Sequence, residues 1–174
     1  FYILARSAGA KLVTAPLTND FRYHVKEIAK RIHKNTKVIY IANPNNPTGT
    51  YVTKDEFDYL MEHVPGHVLV ILDEAYFEYA SHLEDYPDSM HYRYDNVITL
   101  RTFSKAHGLA GLRVGYGFAH ENLIQNLNKV KLPFEPSLPG QVAALAALED
   151  KDFITNTIKE CHAGMQVLEN FFIE

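Results

Sequence analysis

Residues 67–72, HVLVIL, constrain the fold more than any other stretch of the chain. The run is apolar at consecutive positions and shows almost no alternation. Such a strand fits burial on both faces, as in a parallel sheet covered by helices. Its neighbours repeat the theme at intervals. Strands are predicted at 11–17 (KLVTAPL), 36–42 (TKVIYIA), 96–100 (NVITL) and 113–119 (RVGYGFA). Between them lie helical patterns at 23–32, 53–64, 120–130 and 138–150, and a last helix from Asp152 onward. The helix at 53–64 opens with a capping box, Thr53 with Glu56 three residues later. Strands alternating with helices imply an α/β fold: a three-layer α-β-α sandwich with a mostly parallel sheet.

Ligands of such sheets bind at the carboxyl ends of the strands. The residues just past each strand are therefore informative. After 36–42 comes Asn43 to Gly49, NPNNPTG, whose prolines and glycine exclude regular structure. After 67–72 come Asp73, Glu74, Ala75 and Tyr76. After 96–100 come Thr102, Ser104 and Lys105, with Arg113 beyond. An amide, a carboxylate with a phenol, and an amine with hydroxyls thus converge.

Each group has an ordinary alternative. A strand-end Asp73 could be a helix cap or half of a structural ion pair. A lone Lys105 could extend from a loop into solvent. The setting favours chemistry. An amine attacks a carbonyl only when unprotonated, a form that burial or a neighbouring cation such as Arg113 favours. Thr102, Ser104, Arg113 and the backbone at Gly108 and Gly111 together suit a phosphate. A nucleophilic lysine beside a phosphate cradle points to pyridoxal phosphate. NPNNPTGT lacks the Gly-Lys-Ser/Thr of a nucleotide phosphate loop, and GLAGLRVGYG is not a dinucleotide fingerprint.

Composition excludes other classes. Of 174 residues, 47% are hydrophobic and 22% charged, with a net charge of −4 and no Lys/Arg run to attract nucleic acid. No apolar run approaches the ~20 residues of a membrane span. One cysteine, Cys161, permits no internal disulfide, so a reducing cytoplasm is the expected compartment. The nine histidines show no zinc spacing, and no metal site is expected. The chain opens as though a helix were already under way and stops without a cap, which suggests a piece of a longer protein.

NPNNPTG, LDEAYFEY and RTFSKAHGLAGLRVGYG, in that order, resemble the fold-type-I pyridoxal-phosphate aminotransferases, and within them the histidinol-phosphate aminotransferase group. The resemblance runs over nearly the whole chain. It implies that residues 1–150 are part of a large cofactor-binding domain. It also implies that 151–174 form a helix leading toward a small C-terminal domain outside the chain. It assigns Lys105 as the Schiff-base lysine, Asp73 as partner of the pyridinium nitrogen, and Asn46 and Tyr76 as donors to the phenolic oxygen. Thr102, Ser104 and Arg113 would hold the phosphate of pyridoxal 5'-phosphate. The implied reaction converts histidinol phosphate and 2-oxoglutarate to imidazole-acetol phosphate and glutamate, with the complete protein a homodimer.

Two positions depart from the group's pattern: His107, where an aromatic Tyr or Phe is usual, and Glu135-Pro136, where Asn is more frequent after Pro-Phe. They leave open an aromatic-amino-acid aminotransferase or a pyridoxal-phosphate-dependent decarboxylase of a phosphorylated amino acid. A non-catalytic binding or scaffold domain that keeps the motifs by descent is the alternative of another class. Family members are about twice this long. Their upstream phosphate turn, ring-stacking aromatic and partner-subunit tyrosine, and their downstream carboxylate-binding arginine, have no counterpart here. The chain alone is therefore expected to be weakly active or inactive.

Overall fold

A computed structural model describes residues 1–91 and 94–173. The elements run α1 (Tyr2–Ser7), α2 (Val25–Lys30), β1 (Val38–Ala42), α3 (Lys54–His63), β2 (Leu69–Asp73), α4 (Phe77–Ala80), β3 (Val97–Thr102), β4 (Gly115–Ala119), α5 (Glu121–Asn128), α6 (Leu138–Glu149) and α7 (Lys151–Ile173). Glu174, the last residue of the expected closing helix, lies outside the described residues.

The four strands form one sheet in the order β1-β2-β3-β4. β1, β2 and β3 are parallel, and β4 returns antiparallel to β3. The register pairs Ala42 with Asp73 and Asp73 with Leu100. β1 and β2 thus end at one level, β3 runs two residues further to Thr102, and backbone bonds extend the ladder. Asn43 N–H donates to Asp73 O (2.8 Å), and Glu74 N–H to Leu100 O (2.8 Å).

One face of the sheet carries Ile39, Ile41, Val70, Leu72 and Val97, all buried against Phe57, Leu60 and Met61 of α3 and Val25 of α2. Burying a side chain of this size contributes roughly 1.5–3 kcal/mol, so this layer fixes the strand positions. α3 starts where the capping box predicts. Glu56 N–H donates to Thr53 Oγ1 (3.3 Å), and Thr53 N–H to Glu56 Oε2 (2.8 Å). Arg22 adds an ion pair to the same carboxylate at 2.6 Å.

The other face is covered at its two ends. Phe1 stacks on Tyr40 of β1, ring centroids 4.4 Å apart, and α5 sends Leu123 and Leu127 toward the β2–β3 side. Between them lies an apolar cleft of about 410 Å³ walled by Leu69, Ile71, Ile98 and Leu100. The continuous apolar run of β2 predicts burial on both faces. In this chain Val70 and Leu72 are buried while Leu69 and Ile71 are half-buried, because the cleft side lacks a full helical layer.

The strand expected at 11–17 does not form. Only Leu17 makes a bridge, antiparallel to Tyr23. Pro16 has no N–H to give a ladder, and no neighbouring strand among the described residues offers the segment a partner. The strand expected from Arg113 begins two residues later, at Gly115, because Arg113 adopts φ +54. Among the described residues no helix is long and apolar enough to cross a membrane.

Candidate active site at the strand ends

The loop joining β3 to β4 is shaped by what it buries. Phe103 and Ala106 are inward, 4% and 1% exposed, and leave Ser104 half-buried and Lys105 exposed between them. The loop closes on itself through Phe103 N–H to Val114 O (3.1 Å), Leu109 N–H to Phe103 O (2.9 Å) and Gly108 N–H to Lys105 O (2.9 Å). Phe103 and Val114 pack against Ala144 of α6. That contact needs Gly140, since a Cβ there would lie 2.5 Å from Val114 Cγ2. Gly108 turns at φ +70 beneath the ring of Phe153 of α7. Helices α6 and α7 therefore brace the loop from behind.

The loop after β1 assigns its three asparagines different tasks. Asn43 is buried and ties the loop's two ends, donating to Val52 O (3.3 Å) and accepting from Val52 N–H (2.7 Å). Asn45 holds the turn, donating to Thr48 Oγ1 (2.7 Å) and accepting from Tyr23 OH (3.0 Å). Asn46 is exposed and donates from Nδ2 to Tyr76 OH (3.0 Å).

Tyr76 stands at the start of α4. Lys105 Nζ lies 5.4 Å from the centroid of its ring. Asn46, Tyr76 and Lys105, from three strand ends, thus form one chain of contacts. Arg113 Nη1 donates to Ala110 O (2.7 Å) and to Ser104 Oγ (3.4 Å), and Ser104 N–H donates to Thr102 Oγ1 (3.1 Å). Thr102 Oγ1 in turn donates to Val114 O (3.4 Å), so that hydroxyl serves the loop itself.

Asp73 is half-buried, as expected of a strand-end carboxylate. Its partners are neutral groups rather than a cation. Tyr40 OH donates to Oδ2, and Ala75 N–H donates to Oδ1 (3.2 Å). Burial, and then the hydrogen bond to Asp73, push the Tyr40 phenol well above its ordinary range, so Tyr40 stays a neutral donor. Among the described residues no hydrogen bond joins Asp73 to Lys105.

Tyr40 escapes a reading of strand ends because it lies inside β1. Its link follows from register alone. Ala42 pairs with Asp73, and Tyr40 is two residues back on the same face. The buried ion pair of Glu74 with Arg101 (2.8 Å), and of Arg101 with Asp88 (2.9 Å), also escapes it. Glu74 continues from Asp73 but turns to the opposite face, where its side chain is fully enclosed. Burial pushes its carboxyl up, and Arg101 opposes that shift. The Arg101 guanidinium lies 3.3 Å from the centroid of the Phe77 ring. Among the described residues no group of three His, Cys, Asp or Glu side chains is placed to hold a metal ion.

Comparison with known proteins agrees with this geometry. Residues 1–173 match the model of the family described as aminotransferase class I and II. Histidinol-phosphate aminotransferase 2 of Carboxydothermus hydrogenoformans is 46% identical over 151 residues, covering 86% of this chain and 42% of that protein. The aromatic amino acid aminotransferase of Corynebacterium glutamicum is 48% identical over 161 residues, covering 91% of this chain and 47% of that protein. The crystal structure of histidinol-phosphate aminotransferase from Sinorhizobium meliloti, in complex with pyridoxal-5'-phosphate, superposes with a TM-score of 0.88 at 33% identity. It covers 95% of this chain and 45% of that one. The chain spans about half the length of the curated relatives it matches.

Proposed function

Because the chain belongs to the aminotransferase class I and II family, we propose that its protein is a pyridoxal-phosphate-dependent aminotransferase. Its amino donor is histidinol phosphate and its acceptor 2-oxoglutarate, the products being imidazole-acetol phosphate and glutamate. The observation that carries the reading is the meeting of Asn46, Tyr76 and Lys105 at the ends of parallel strands, with Asp73 at the same level. The residues fit the cofactor by donor chemistry. An amide and a phenol already hydrogen-bonded to each other suit an anionic phenolic oxygen. A half-buried carboxylate suits a protonated ring nitrogen. Ser104 and Arg113, 3.4 Å apart, suit part of a phosphate.

When bound, the cofactor supplies an aldehyde and an electron-withdrawing ring that stabilises negative charge at the substrate Cα. The chain's own residues do the rest. Lys105 supplies the amine that holds the cofactor covalently. The same amine, when free, would be the base for the substrate Cα proton. Asp73 would keep a proton on the ring nitrogen, and Tyr40 together with Ala75 N–H fixes the carboxylate's orientation. Asn46 and Tyr76 would hold the ring's oxygen edge. We read residues 1–150 as part of the large domain and the helix from 151 as leading toward a small domain. The protein acts as a homodimer in the cytoplasm.

Aromatic amino-acid transamination is the second reading, favoured by the relative of that name at 48% identity. Competition between donors decides it. With 2-oxoglutarate and the full-length protein, kcat/KM is expected to be highest for histidinol phosphate. A higher value for phenylalanine or tyrosine overturns the first reading in favour of the second.

A further inference from the structure

The segment carrying Lys105 and the segment carrying Tyr76 are joined by a side-chain pair that the roles above leave unused. His107, two residues after Lys105, sets Nε2 3.4 Å from Glu78 Oε1. Glu78 lies in the first turn of α4, two residues after Tyr76. Both side chains are nearly enclosed, 11% and 12% exposed. The His107 ring packs on Phe103, centroids 4.8 Å apart. Among the described residues, His107 Nδ1 and Glu78 Oε2 are buried with no hydrogen-bond partner.

An enclosed carboxylate is costly without a donor. A hydrocarbon ring at position 107 would pack on Phe103 as well as an imidazole does, yet would remove the nitrogen that stands 3.4 Å from Glu78 Oε1. The imidazole therefore does more than fill space. It clamps the outward-facing turn of Lys105 to the start of α4. Tyr76 is already held at its hydroxyl by Asn46, so the clamp completes a frame around Lys105. Gly108, at φ +70 directly after His107, lets the chain turn away under Phe153 once the contact is made.

We propose that the His107–Glu78 pair is a positioning device that sets the Lys105 amine against the Tyr76 ring. His107 and Glu78 are outside the set of residues assigned above to the cofactor. They act through the two residues beside them, and the inference rests on the aminotransferase reading above.

The test uses the full-length protein with pyridoxal 5'-phosphate and the variants His107→Phe, Glu78→Gln and the double variant. The readouts are the visible circular dichroism of the bound cofactor, which reports how rigidly it is oriented, and the separate values of kcat and KM. The dichroic band is expected to weaken in each single variant and to weaken no further in the double. kcat is expected to fall on the order of ten- to a hundredfold, as for a small misplacement of a reacting group. KM for the amino donor should stay within about twofold, since ground-state binding is untouched. His107→Gln keeps a donor toward Glu78 and is expected to restore the band. A His107→Phe protein with the wild-type band and kcat overturns the proposal. So does a His107→Gln protein that fares as badly as Phe, or strictly additive losses in the double variant. A wild type that takes up no cofactor removes the functional reading and the proposal together.

Discussion

Replacing Arg101 with Met tests the architecture directly behind the strand ends. Arg101 is 9% exposed and pairs with the fully enclosed Glu74 at 2.8 Å. Methionine retains much of the packing on Phe77 but leaves Glu74 buried without a cation. Breaking a buried pair from one side costs about 3–5 kcal/mol. At roughly 2–4 °C per kcal/mol for a domain of this size, the thermal midpoint should fall by about 6–20 °C. The pH dependence has a definite sign. Burial already raises the Glu74 carboxyl above its ordinary value, and losing Arg101 raises it further. A carboxyl with a raised folded-state pKa takes up a proton on folding. Its cost is therefore absent below the ordinary carboxylate range and grows as pH rises through the shifted value. The Arg101→Met deficit should be largest near about pH 8 and shrink toward about pH 5. Adding Glu74→Gln should recover much of the loss at the higher pH. Differential scanning calorimetry of the cofactor-free protein at the two pH values is the assay. A deficit below about 1 kcal/mol, the worth of an exposed pair, or one equal at both pH values, would refute the reasoning.

Gly140→Val should destabilise by about 1–3 kcal/mol, the usual cost of overpacking, because its Cβ would lie 2.5 Å from Val114 Cγ2. Gly111→Ala, with nothing among the described residues within 4 Å of the added Cβ, should leave the urea midpoint unchanged, and equal effects at the two sites would count against the packing of α6 on the loop. Tyr40→Phe removes the phenol from Asp73 and should lower stability by about 1 kcal/mol, since water can replace the donor at a half-buried carboxylate. An unchanged melting midpoint would mean that the hydrogen bond contributes nothing.

Much of this arrangement is legible in the sequence because local chemistry decides it. The capping box at Thr53 and Glu56 forms as written. The apolar runs ending at Ala42 and Leu72 become parallel strands, the second running one residue further to Asp73, which brings the residues beyond them together. What is not legible depends on which strands become neighbours. Tyr40 reaches Asp73 only because β1 lies beside β2 in that register, and Arg101 meets Glu74 only because β3 flanks the other side. His107 meets Glu78 across a loop and a helix that no periodicity relates. The segment at 11–17 has the composition of a strand, but pairing rather than propensity makes a strand, and only Leu17 finds a partner.

Lys105, exposed above the Tyr76 ring, is the amine proposed to take the cofactor. Incubating the full-length protein with pyridoxal 5'-phosphate, reducing with borohydride and mapping the peptides by mass spectrometry tests it most directly. A single stoichiometric phosphopyridoxyl adduct is expected on Lys105, with loss of the visible absorbance in Lys105→Ala. An adduct on a different lysine, or label scattered over surface lysines with Lys105 unmodified, would contradict it.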